Sequence, residues 1–85
     1  MDEFKSSDIF EASYLVACGL KIQRLEGEGQ RKFFIFPNKR GCEELSEAYW
    51  SKKASIEPRY FVESIKSVKD LLFSQIRRDE WKEKD

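Results

Sequence analysis

Between Arg31 and Arg40 the chain reads RKFFIFPNKR, so that two basic pairs, Arg31-Lys32 and Lys39-Arg40, bracket the run Phe33 to Phe36. Cations beside aromatic rings suit a nucleic acid, with phosphates held by Lys and Arg and a base stacked on a ring. On that chemistry Arg31, Lys32, Lys39 and Arg40 are candidate nucleic-acid or anion contacts, with Phe33 as the stacking ring. The run lacks the glycines of an RNA-recognition strand, however, and Phe34 and Phe36 are the expected core positions of a strand with solvated basic ends. Asn38 to Gly41 precedes a helix, where free backbone N–H groups attract phosphate or sulfate. Glu43 and Glu44 already bring negative charge to that end, so a solvated turn is the plainer expectation.

The remaining reactive groups are scattered. No histidine occurs, which removes imidazole acid–base catalysis, Ser–His and Cys–His pairs, and imidazole metal ligation. Cys18 follows the apolar run Tyr14–Ala17 and is expected to be a small buried hydrophobe. Cys42 stands near a helix start, where a thiol pKa can fall, but no catalytic partner accompanies it. The two thiols lack C-x-x-C spacing. Glu26 and Glu28 in EGEG fall short of the roughly six oxygens a calcium site needs. No catalytic residue, cofactor site or metal site is expected, and the chain reads as non-enzymatic.

A chain of 85 residues makes one domain, 1–85, with a thin core that must use most of its large apolar side chains. Sixteen basic residues balance sixteen acidic ones, so any polyanion would have to be held by a local patch. The opening MDEFKSSD lacks the apolar run of a secretory signal. No segment approaches the roughly 18 apolar residues of a membrane span. The expectation is a cytoplasmic protein with no membrane partner and both thiols reduced.

The elements that position these residues follow from caps and periodicity. Asp8 with Glu11 three later makes a capping box, and Gly19 suits the left-handed position beyond a helix ending at Cys18. This helix is apolar nearly all round and is expected to be central. Leu20, Ile22, Phe34 and Phe36 flank EGEG as a β-hairpin. A loop centred near Glu28 sets Ile22 opposite Phe34 and puts Phe33 and Ile35 on the outer face, while a one-residue slip exchanges the faces of one strand. A second helix runs through CEELSEAYWSKK. A third begins at Pro58 and carries the stripe Phe61, Ile65, Val68, Leu72, Ile76. Val62 and Phe73 flank that stripe on one side, Tyr60 and Leu71 on the other. The charged end, about 77–85, is expected to project or fray. The fold class is α+β: helix, antiparallel hairpin, then two helices (α-β-β-α-α), the last one long.

The pattern Phe4-x-Ser6-x-Asp8, Ala12-x-Tyr14-Leu15 ending in Gly19, Phe34-x-Phe36, Tyr49-Trp50 and Pro58-x-x-Phe61 resembles a small bacterial domain family of unknown function. The similarity covers the chain up to about Leu72. It implies a fold and no activity, so no residue inherits a role from it.

Apolar side chain exceeds what one small core absorbs. Phe33, Ile35, Leu71, Phe73 and Trp81 are therefore the expected partner interface, facing a second copy or another protein. The leading expectation is a non-enzymatic protein-interaction or accessory domain; the alternative is a small nucleic-acid-binding module built on the basic pairs.

Overall fold

Ahead of the first helix the chain forms a strand that periodicity did not reveal. The computed structural model describes residues 2–83, with side-chain surroundings through residue 80. In it β1 (Phe4–Ser6) precedes α1 (Ile9–Ala17), followed by β2 (Arg24–Glu26), β3 (Phe33–Phe36), α2 (Lys39–Trp50) and α3 (Pro58–Glu83). The class is α+β, as expected, and the order of elements gains β1. All strand pairs are antiparallel in the order β1-β3-β2, so β3 is central. Three residues are too few to show alternation, which is why β1 was not legible.

The hairpin register is not the one that a loop centred near Glu28 gives. Leu25, not Ile22, lies opposite Phe34, and the ladder begins where the Gln23 N–H donates to the Ile35 carbonyl at 2.7 Å. Gly27 sets this start, because at its φ of +110° a Cβ would lie 2.1 Å from the Arg31 carbonyl oxygen. The turn therefore closes directly behind Glu26. Leu20 and Ile22 instead lie in an irregular segment before β2 and pack on the core from there.

Phe34 and Phe36 are buried on the inner face, opposite Leu25 and Phe4 respectively. They meet Ala12 and Leu15 of α1, Cys42 of α2 and Val68 of α3 in one cluster. α1 is central, as its all-round apolar surface requires, packing on α3 along its length and on α2 at one side. Asp8 caps it through a 2.8 Å bond from the Glu11 N–H. Gly19, at φ +101°, ends it with paired bonds from Gly19 N–H to Val16 and from Leu20 N–H to Leu15.

α2 begins three residues ahead of the expected Cys42. Asn38, in the left-handed region, caps it by accepting from the Gly41 N–H at 3.1 Å. Lys39 and Arg40 thus occupy the first turn, and Glu43 and Glu44 fall in the second. The helix ends with Lys52 at φ +64°, its N–H bonded to Tyr49 and that of Lys53 to Ala48. α3 is capped by Glu57, whose Oε2 accepts from the Arg59 and Tyr60 N–H groups at 2.6 and 3.0 Å. Its 26 residues span about 39 Å. It continues through the charged stretch, where Asp79 pairs with Lys32 of the hairpin.

Two backbone substitutions should act with opposite sign in thermal melts. Lys52→Gly removes a left-handed β-carbon and is expected to stabilise by about 1 kcal/mol, a rise of roughly 4–8 °C in Tm. Gly27→Ala forces the turn open and is expected to cost more than about 2 kcal/mol.

Candidate functional site

The outer face of the sheet, with Phe33 and Ile35 on it, calls for a cover. Over Ile35 that cover is charge. Register places Lys5 and Arg24 directly opposite Ile35 on either side. Arg24 forks onto Glu3 at 2.7 and 2.8 Å and onto Glu26 at 2.6 and 3.0 Å. Lys5 reaches Glu26 at 3.2 Å. Because β1 and β2 flank β3, the Lys5–Glu26 and Glu3–Arg24 pairs must cross above the central strand, and Ile35 beneath is 0% exposed. Ile35 therefore leaves the expected interface: long side chains of its own sheet cover it. Phe33, one step along the same face, stays exposed. The Arg24 hydrogen bonds hold the Glu3 and Glu26 carboxyls below their ordinary value, and Glu3 and Glu26 push the Arg24 guanidinium up.

The four basic candidates separate. Lys32 is buried, its Nζ donating to the Gly27 carbonyl at 2.8 Å and to Asp79, so it offers nothing to an anion. Alternation places Lys32 on the inner face with Phe34 and Phe36, but its carboxylate partner, 47 residues away in the chain, gave no signal. Arg31 is exposed at one end of β3. Lys39 and Arg40 are exposed at the other, lining a depression of about 590 Å³ with Asp2, Asn38 and Glu43. Two carboxylates share that depression with its two cations, so its formal charge balances.

A polar cluster joins three elements around Glu11. Its carboxyl oxygens accept from Ser6 Oγ at 2.6 Å, from Trp50 Nε1 at 2.7 Å and from Ser46 Oγ. The capping box is thus half formed: Asp8 caps as expected, while the Glu11 side chain turns inward to β1 and α2. Tyr14 stacks on Tyr49 at 5.6 Å between ring centroids, and Tyr49 meets Trp50 edge-on at 5.0 Å. Burial pushes both tyrosine hydroxyls up. Burial, with Glu11 nearby, likewise raises the Cys42 thiol, opposite to the lowering a helix start would give. Cys18 and Cys42 are both free thiols. Among the described residues no group of three His, Cys, Asp or Glu side chains could hold a metal ion.

The remaining candidates point apart. Leu71, 40% exposed, lines an apolar groove of about 350 Å³ with Val16, Leu20, Ile22 and Val68, edged by Lys21 and Ser67. Phe73, 53% exposed, is two residues on and so faces nearly the other way. The side chain of Trp81 lies outside the described residues. Sequence reasoning missed the groove because it assigned Leu20 and Ile22 to a strand. The signal was the break in alternation at Gln23-Arg24-Leu25.

A family profile described as a domain of unknown function, DUF5659, matches residues 1–74. The chain belongs to the DUF5659 family. The match spans every strand, α1, α2 and most of α3, and stops close to the limit expected from the resemblance. No curated protein and no solved structure matches this DUF5659 domain. Among its described residues no helix is long and apolar enough to cross a membrane.

Two outcomes test these clusters in the DUF5659 domain. Glu3 and Glu26 have lowered pKa values, so their contribution to stability is complete above about pH 4.5, the ordinary value, and vanishes as pH falls through the lowered ones. The gap in urea midpoint between wild type and Arg24→Ala should therefore narrow from pH 7 to pH 3; a constant gap would remove the ion pairs as the origin of Arg24's effect. Glu11→Ala strips the acceptor from three donors and is expected to cost about 1–3 kcal/mol, read by denaturant melts at pH 7.

Proposed function

We propose that this domain is a non-enzymatic protein-interaction or accessory module that receives an apolar side chain of a partner in the groove beside α3. One observation carries the reading: Val16, Leu20, Ile22, Val68 and Leu71 leave an open, largely apolar hollow with a polar edge, the form in which side-chain anchors are held. Exposed apolar residues elsewhere on α3 support the same role. The two free thiols fit work in the cytoplasm. The nucleic-acid alternative draws less support, since burial of Lys32 leaves Arg31 at one end of β3 and Lys39 and Arg40 at the other.

Affinity capture from cells, with the domain as bait, tests the groove. Wild type is expected to retain a partner in stoichiometric yield. Leu71→Asp should abolish retention, and Phe73→Asp, on the opposite side of the helix, should not. Both positions are exposed, so Tm should move by only a few degrees. Equal retention by wild type and Leu71→Asp would refute the assignment.

A further inference from the structure

Two outward helix stripes have matching lengths and opposite charge. On α2, Glu43, Glu47 and Trp50 recur at spacings of four and three, and all are exposed, Trp50 by 58%. On α3, Val62, Lys66 and Lys69 recur at four and three, and all are exposed, Val62 by 49%. Such spacings keep each trio on one side of its helix. Each stripe covers seven residue steps, or about 10.5 Å. Set antiparallel, Trp50 comes opposite Val62, Glu47 opposite Lys66 and Glu43 opposite Lys69. One turn further, Phe73 comes opposite Lys39, a cation beside an aromatic face.

Within one copy the two stripes do not meet. The ion pairs among the described residues involve only Lys5, Arg24 and Lys32 as cations, so both stripes keep their charge for something outside. The Trp50 ring is already fixed by its bond to Glu11 and its edge contact with Tyr49, and a rigid aromatic loses little entropy on docking. Zero net charge with acid on one helix face and base on another favours a partner bearing the same two faces. Phosphate or a lipid surface would satisfy the lysines and repel the glutamates.

We propose that the domain associates with a second copy of itself, α2 of one copy lying antiparallel on α3 of the next. This rests on the reading of the domain as an interaction module but not on the groove, which the contact leaves open. The two faces differ, so each copy offers one of each, and the contact either closes on itself or propagates.

Light scattering coupled to size exclusion tests it with the full chain. At low salt the wild-type mass should exceed 10.1 kDa, rise with concentration and fall toward the monomer as salt is added. Lys66→Glu with Lys69→Glu should weaken association about tenfold or more, as should Glu43→Lys with Glu47→Lys, because like charges then face each other. Mixing the two double variants should restore a complex, since the first retains an acidic stripe and the second a basic one. Val62→Ser should also weaken it without any change of charge. A wild type that stays monomeric at every concentration overturns the proposal, as do variants that associate like wild type or a mixture that stays monomeric. Capture through the groove, lost in Leu71→Asp, would stand in each of those cases.

Discussion

Glu11 lies where β1, α1 and α2 converge, and its carboxyl group takes a hydrogen bond from each neighbouring element while its own backbone belongs to the central helix. A carboxyl this deeply placed is tolerable only with its oxygens occupied, and here Ser6, Ser46 and the Trp50 indole occupy them. The arrangement fixes more than one contact. Holding Ser6 sets β1 beside α1, which lets Phe4 to Ser6 pair with β3 and complete the sheet. Holding Ser46 and Trp50 sets α2 against α1 and aims the indole outward. A thin core of few large side chains would locate these elements loosely; directional bonds to one acceptor locate them in register.

The parts of the fold governed by local rules were legible in the sequence. Asp8, Gly19 and Pro58 act where capping and ring geometry put them, and the apolar stripe of α3 faces the core because its neighbours three and four residues away share a side. What escaped was set at long range. β1 is too short to carry a pattern and exists because β3 has an open side. The hairpin register hangs on the backbone approach at Gly27, which the EGEG motif announced without saying which glycine mattered. Glu57 gave no signal as a cap, being outside the usual cap types, yet its side chain reaches two N–H groups of α3.

The candidate sites were less legible than the fold, because side-chain type does not state side-chain partner. Ile35 and Lys32 illustrate this from opposite directions. The aliphatic residue, assigned to the surface by alternation, is sealed under a lattice of its own sheet's charges. The lysine, assigned to solvent by its type, is buried against a carbonyl and a carboxylate. Together they turn the hairpin into support and leave the helices to face outward. The groove and the two stripes all lie on helices or beside them, the rigid part of the molecule, where positions are held best.

Lys32 also ties the hairpin turn to Asp79, five residues beyond the end of the family match at 74. Asp79, in the part of α3 beyond the match, is thus held to the hairpin turn. A family member stopping at the match would strand an ammonium ion in a dry crevice with a lone carbonyl for company. In such a chain the place of Lys32 should fall to an uncharged side chain, and the length of the final helix and the residue at this turn should change together.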